Sequence, residues 1–182
     1  MPNFLHELDV DLCRWLESQA VFFIATADAE GRINLSPKGT DSLRCIHGRS
    51  VAYLDLTGSG NETAAHLLAD GRITLMACSF GAKPRILRIY GTGRTVRPGH
   101  AEWDDLYARF PPQESRRQIV CIEAESIQTS CGFGVPVAAD GFMAREMMEP
   151  WAEKKGGQPG VRAYQLEKNR RSIDDLPTGI DA

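Results

Sequence analysis

The chain has 182 residues, of which 42% are hydrophobic and 25% charged, proportions that exclude the disordered, collagen-like and coiled-coil classes. At roughly 150 residues per domain one compact unit is expected, able to bury about 70% of its unfolded surface without a metal or disulfide staple. Lysine and arginine total 21 against 24 aspartates and glutamates, and this net charge of −3 argues against a nucleic-acid partner.

No run approaches the roughly 18 apolar residues of a membrane span. The first residues carry neither the basic region nor the apolar stretch of a secretion signal. Five cysteines, an odd number with no Cys-x-x-Cys pair, fit a reduced, cytoplasmic setting.

In chain order, Leu5, Leu8, Leu12, Trp15 and Leu16 recur at helical spacing and predict an amphipathic helix over 5–18. The β-rich run 21–26, a turn at 28–31 and the alternating run 32–36 read as a hairpin. Pro37 and Gly39 are expected to end that strand. Runs 43–47 and 50–56 form a second strand pair. A short helix follows over 61–69, then strands over 73–78 and 85–96. A helix over 100–110, a strand over 118–124 and an extended polar stretch over 126–137 come next.

The run 141–153, with Phe142, Met143, Met147 and Met148, reads as a helix ended or bent at Pro150, and 155–160 reads as a linker. Strands in hairpin order with one good crossover helix predict a mostly β (α+β) fold, an antiparallel barrel or sandwich. It divides into an N-terminal helix (1–19), a barrel (20–137) and a C-terminal helix and tail (138–182).

Three segments offer groups to an anion. In Tyr53-Leu-Asp-Leu-Thr-Gly-Ser-Gly-Asn-Glu-Thr63 a strand and a glycine-bearing loop lead into a helix. Helix N-termini present unpaired N–H groups, Gly58 and Gly60 permit close approach, and Thr57, Ser59, Asn61 and Thr63 add donors. The competing reading is a capping box, in which Ser59 and Glu62 satisfy the same amides internally.

Asn34-Leu-Ser-Pro-Lys-Gly39 offers Ser36 and Lys38 at a bend set by Pro37, or simply a polar strand end. Arg85 and Arg88 sit on opposite faces of a strand, so one could reach a pocket while the other is solvated. Separated groups of this kind suit a phosphorylated small molecule.

Other candidates are weaker. His6, His47, His66 and His100 show no ligand spacing, so no metal site is expected, and each reads as a surface or capping residue. There is no Gly-x-Ser-x-Gly elbow. Asp104, Asp105, Asp174 and Asp175 read as solvated charges. Cys131, in the apolar turn Cys131-Gly-Phe-Gly-Val-Pro136, reads as structural, although Gly132 and Phe133 could wall a flat ring site.

Taken in order, these segments resemble the pyridoxamine 5′-phosphate oxidase-related family of FMN-binding split barrels. The resemblance rests on Phe22-Phe-Ile-Ala-Thr, the 34–39 and 53–63 segments, Arg85-Ile-Leu-Arg-Ile-Tyr-Gly91, Ser130-Cys-Gly-Phe-Gly-Val-Pro136 and the tail Asn169-Arg-Arg-Ser-Ile-Asp-Asp-Leu-Pro177. It implies a six-stranded antiparallel split β-barrel with flanking short helices, assembled as a homodimer with FMN in two clefts between subunits.

By the same resemblance the phosphate lies between Asn34, Ser36, Pro37 and Lys38 and the 57–63 turn. Tyr53, Leu54, Asp55, Leu56 and Thr57 line the isoalloxazine, and Cys131, Gly132 and Phe133 come from the other subunit. Where active oxidases carry Ser-Arg-Lys this chain has Ser59-Gly60-Asn61, so the compensating charge falls to Lys38, Arg85 or Arg88. The chain also lacks the Arg-Leu-x-Pro ending of the true oxidases, so their substrate does not carry over.

The expectation is an FMN-dependent oxidoreductase acting on a small molecule, with NAD(P)H as a candidate donor and no nucleic-acid or membrane partner. The alternatives are a non-catalytic flavin or haem carrier or sensor on the same dimeric fold, and a dimerisation module with an empty cleft.

Overall fold

A computed structural model describes residues 3–39, 41–138, 141 and 148–181. One antiparallel sheet dominates it, in the order β3-β2-β6-β7-β8-β5-β4, with β1 added on β8. The strands are β1 (Asn3–Leu5), β2 (Val21–Thr26), β3 (Asn34–Gly39), β4 (Leu43–His47), β5 (Ser50–Leu56), β6 (Arg72–Cys78), β7 (Ile86–Val96) and β8 (Arg116–Ser130). Eight strands thus replace the six expected. β1 is the three-residue segment at the N-terminus, and Leu5 pairs with Ile127 there rather than opening a helix.

The first helix, α1 (Val10–Glu17), begins later than the leucine spacing predicts, because Asp9 caps it by accepting from the Leu12 N–H at 2.8 Å. Its last residue, Glu17, accepts from the Cys45 N–H at 2.7 Å and ties the helix to β4. Pro37 does not break β3. The strand lies at the sheet edge, where a missing N–H costs no ladder bond.

β8 is much longer than expected and absorbs the polar stretch as far as Ser130. Helix α2 (Glu62–Ala69) lies where expected, whereas α3 is confined to Trp103–Tyr107. Of the expected helix over 141–153, Phe142, Met143 and Met147 lie outside the described residues. Helix α4 (Met148–Lys155) contains Pro150 in its first described turn and does not end there.

The expected linker over 155–160 is instead the start of α5 (Gly157–Lys168). Gly156, at φ 96°, reverses the chain, and Pro159 falls in the first turn, where a missing N–H is harmless. Trp151 and Tyr164 meet edge to face at 5.3 Å and hold α4 against α5.

Alternation along the strands makes two cores. The larger, inside the curved sheet, joins Phe22, Ile24, Leu75, Leu87, Ile89, Val120, Ile122 and Ile127 with Leu12 and Leu16 of α1 and Leu67 of α2. Each such side chain contributes about 1.5–3 kcal/mol on burial. The smaller core lies on the outer face, where Ala52, Leu54, Val96, Ile119 and Cys121 are covered by Trp103 and Phe110. The rest of the outer face is different. Register places Pro37, Phe23, Met76, Arg88, Gln128 and Phe4 in one row across β3, β2, β6, β7, β8 and β1. Leu35 and Tyr90 extend that face and remain exposed.

All five cysteines are free. Among the described residues no helix is long and apolar enough to cross a membrane.

Candidate functional site

Strand alternation turns Asn34, Ser36 and Lys38 inward, opposite Thr26, Ile24 and Phe22 of β2. Tyr53 and Asp55 share the inner face of β5. The Asp55 carboxylate is 1% exposed and receives Lys38 Nζ at 2.8 Å on one oxygen. Its other oxygen accepts from Arg117 Nη2 at 2.8 Å, Arg117 Nε at 3.1 Å and Gln118 Nε2 at 2.9 Å. Burial alone would raise this carboxyl, but the charges of Arg117 and Lys38 and the Gln118 hydrogen bond hold it well below the usual carboxylate range.

Arg117 and Gln118 are chain neighbours and would normally face opposite sides of the sheet. A bulge, at which Asp55 pairs with Gln118 while Leu56 pairs with Arg116, brings both to the same carboxylate.

A second chain of polar groups adjoins the first. Ser36 Oγ donates to Asn34 Oδ1 at 2.9 Å, and Asn34 Nδ2 donates to the Thr26 and Thr63 hydroxyls, each at 3.1 Å. Thr26 Oγ1 lies 3.0 Å from Nδ1 of the buried His66. His66 is therefore a core residue and not a surface or capping histidine. The Tyr53 hydroxyl and Gln118 Oε1 are buried without a hydrogen-bond partner among the described residues. Burial first, and then the Asp55 charge, push the Tyr53 hydroxyl well above the usual phenol range.

The 57–61 loop is tied from below. Asn169, fully buried at the end of α5, donates from Nδ2 to the carbonyls of Gly58 at 3.1 Å and Ser59 at 3.4 Å. Arg117 Nη1 donates to the Gly60 carbonyl at 2.7 Å and to Asn169 Oδ1 at 3.0 Å. Asn61 Oδ1 accepts from Gln118 at 2.8 Å, and Gln165 donates to the Thr57 hydroxyl at 2.8 Å.

The capping-box reading fails. The residue before α2 is Asn61, whose side chain makes no capping bond. Both Glu62 carboxylate oxygens accept instead from the Ile173 N–H, at 3.0 Å. Gly58, Ser59 and Gly60 are exposed, and a Cβ added at Gly58 would meet nothing within 4 Å.

The remaining sequence candidates lie elsewhere. Tyr53, Leu54 and Thr57 are enclosed within the chain along with Asp55, while Leu56 is half-buried. Arg85 precedes β7 and lies over the Trp15 ring at 5.3 Å. Arg88 projects from the outer face and reaches Ser130 Oγ at 3.4 Å. Arg88 and Lys38 thus leave opposite sides of the sheet and cannot meet on one phosphate within a single chain. Gly132 packs against the backbone of Arg85, and Cys131 and Phe133 are exposed, so Cys131 is no buried structural residue. Asp174 is only partly exposed: it receives the Arg32 backbone N–H at 2.9 Å and pairs with the Arg32 guanidinium.

Cavities of about 380 Å³ beside Trp15, Phe80 and Lys83, and about 320 Å³ beside Ile33, Thr74 and Tyr90, contain none of the residues expected to bind. Among the described residues no group of three or more His, Cys, Asp or Glu could hold a metal ion.

Arg117, Gln118 and Asn169 are the functional candidates that sequence reasoning missed. The only signal for Asn169 was its place at the head of the tail motif. Nothing local marks Arg117, whose orientation comes from the bulge.

A family model described as pyridoxamine 5′-phosphate oxidase matches residues 11–131. The pyridoxamine 5′-phosphate oxidase family protein ustO of Aspergillus flavus is 36% identical over 198 residues, covering 97% of this chain and 78% of that one. Among solved structures, a Lactobacillus delbrueckii protein named after pyridoxamine 5′-phosphate oxidase superposes with a TM-score of 0.53 at 19% identity, covering 68% and 97% of the two chains. HupZ of Group A Streptococcus superposes at 0.51 with 20% identity, covering 65% and 90%.

Proposed function

Since the chain belongs to the pyridoxamine 5′-phosphate oxidase family, we propose that it binds FMN and acts as an oxidoreductase on a small molecule. The observation that carries this reading is the direction of the 58–60 carbonyls. In a trans peptide the carbonyl of one residue and the N–H of the next point opposite ways, and no cis peptide occurs among the described residues. With three successive carbonyls drawn inward by Asn169 and Arg117, the N–H groups of Ser59, Gly60 and Asn61 face outward at the start of α2. Consecutive outward amides at a helix start suit a phosphate, and the open space beside Gly58 admits one.

Lys38 and Arg117 face the single carboxylate of Asp55, so this cluster keeps one positive charge in excess beneath the loop. That charge does the work assigned to Ser-Arg-Lys in the related oxidases. Bound FMN supplies hydride or electron transfer through its ring, and the chain supplies anchorage and orientation.

The outer row through Phe23, Met76 and Arg88, continued by the exposed Leu35 and Tyr90, supports a homodimer joined through this face. The ring then lies at the subunit junction, near Arg88 and the exposed Cys131 and Phe133 of one chain or the other.

Titration with FMN, followed by flavin fluorescence, tests binding. Bleaching of the bound flavin by NADH or NADPH, and its return in air, separates an oxidoreductase from a carrier. A Soret band without flavin would replace this reading with haem binding.

A further inference from the structure

We infer that the C-terminal tail, through Asn169 and Ile173, makes the 58–62 loop selective for a phosphorylated flavin. The inference rests on the proposed FMN site and concerns what shapes it. The family model stops at residue 131, so the tail lies outside the matched pattern.

Asn169 caps the end of α5 with its backbone N–H, which donates to the Gln165 carbonyl at 2.8 Å. Its side chain is therefore free for the loop, and its amide takes the Gly58 and Ser59 carbonyls while its oxygen holds Arg117. Four residues on, the Ile173 N–H holds the Glu62 carboxylate. Glu62 is the one acidic residue in the first turn of α2, and free to move it would repel a phosphate there. The tail thus turns the loop's carbonyl oxygens to one side, leaving amides on the other, and fixes the one carboxylate at the Ile173 N–H.

The tail is held well enough to do this. Asn169 and Thr178 are fully buried, Ile180 is 1% exposed, and Arg97 donates to the Thr178 carbonyl at 2.7 Å. Asn169 and Ile173 act as positioning residues, since the tail reaches the ligand only through the loop.

The experiment compares FMN with riboflavin, which differ only in the phosphate, on the full-length protein, Asn169→Ala and Asn169→Asp. Aspartate keeps the size and the Arg117 contact but cannot donate to the carbonyls. We expect both variants to lose about tenfold in FMN affinity, with riboflavin affinity unchanged. A general loss of structure would weaken both ligands together. Variants that keep the full preference for FMN would overturn the inference while leaving the FMN site standing. A native protein with no preference would overturn the phosphate site itself.

A second readout needs no variant. Inorganic phosphate should shift the backbone amide resonances of Ser59, Gly60 and Asn61 in the native protein, and unmoved resonances would overturn the phosphate site on which the inference rests.

Discussion

Lys38 Nζ and Asp55 Oδ1 lie 2.8 Å apart across the inside of the barrel, linking edge strand β3 to β5, the last strand but one at the other end of the sheet. The lysine expected to meet a ligand phosphate is therefore already paired. Asp55 does not depend on it, because Arg117 and Gln118 satisfy the other oxygen. The two residues should consequently respond very differently to substitution.

Asp55→Asn leaves Arg117 buried without its counter-charge and should cost about 3–5 kcal/mol of stability in urea unfolding. Lys38→Met keeps the Asp55–Arg117 pair and should cost clearly less than Asp55→Asn. It should still weaken FMN binding by removing the excess positive charge. Equal losses of stability in the two variants would show that the carboxylate is not anchored chiefly by Arg117.

The same pair sets the response to acid. Asp55 has a depressed pKa in the folded state, so it remains ionised where an unfolded aspartate, at about 3.9, takes up a proton. Its contribution is present in full above that value and is lost as pH falls towards the folded value. Native protein should lose stability progressively below about pH 4. Asp55→Asn should show a shallower slope there, and parallel curves would contradict the assignment.

On the outer face, Phe23 stands between Pro37 and Met76 and is half-buried. Phe23→Asp should convert the proposed dimer to a monomer in light scattering, with little change in circular dichroism. FMN affinity should fall with it if the ring lies at the junction. A variant that remains dimeric would move the interface elsewhere.

The cysteines provide an independent readout. Cys131 is exposed, whereas burial pushes the Cys45, Cys78 and Cys121 thiols up. A thiol reagent at neutral pH should label Cys131 first, with Cys45 and Cys121 protected until unfolding. Bound FMN should slow labelling of Cys131, and an unchanged rate would place that segment away from the flavin.

Much of the barrel was legible because β-rich runs stand between turn residues, as in 43–47 and 50–56, whose bounds are those of β4 and β5. Pro37 and Pro159 misled because the cost of a proline depends on position. One lies on a sheet edge and the other in a first helical turn, and local sequence reveals neither setting.

The site was less legible. Gly58 and Gly60 pointed to the loop, but what orients that loop arrives from far along the chain. Asn169 is more than a hundred residues away, and Arg117 turns inward only through a bulge created by strand pairing. His66 looked like a surface or capping residue because its partner, Thr26, lies on β2, 40 residues earlier in the chain. Long-range hydrogen bonds carry no local signature, so composition and periodicity could not register them.

The central claim is best tested on the protein as purified, by its visible spectrum and by the flavin released on denaturation. The account predicts a yellow protein that frees FMN, one molecule per chain. A colourless protein that leaves the fluorescence of added FMN unquenched would contradict it.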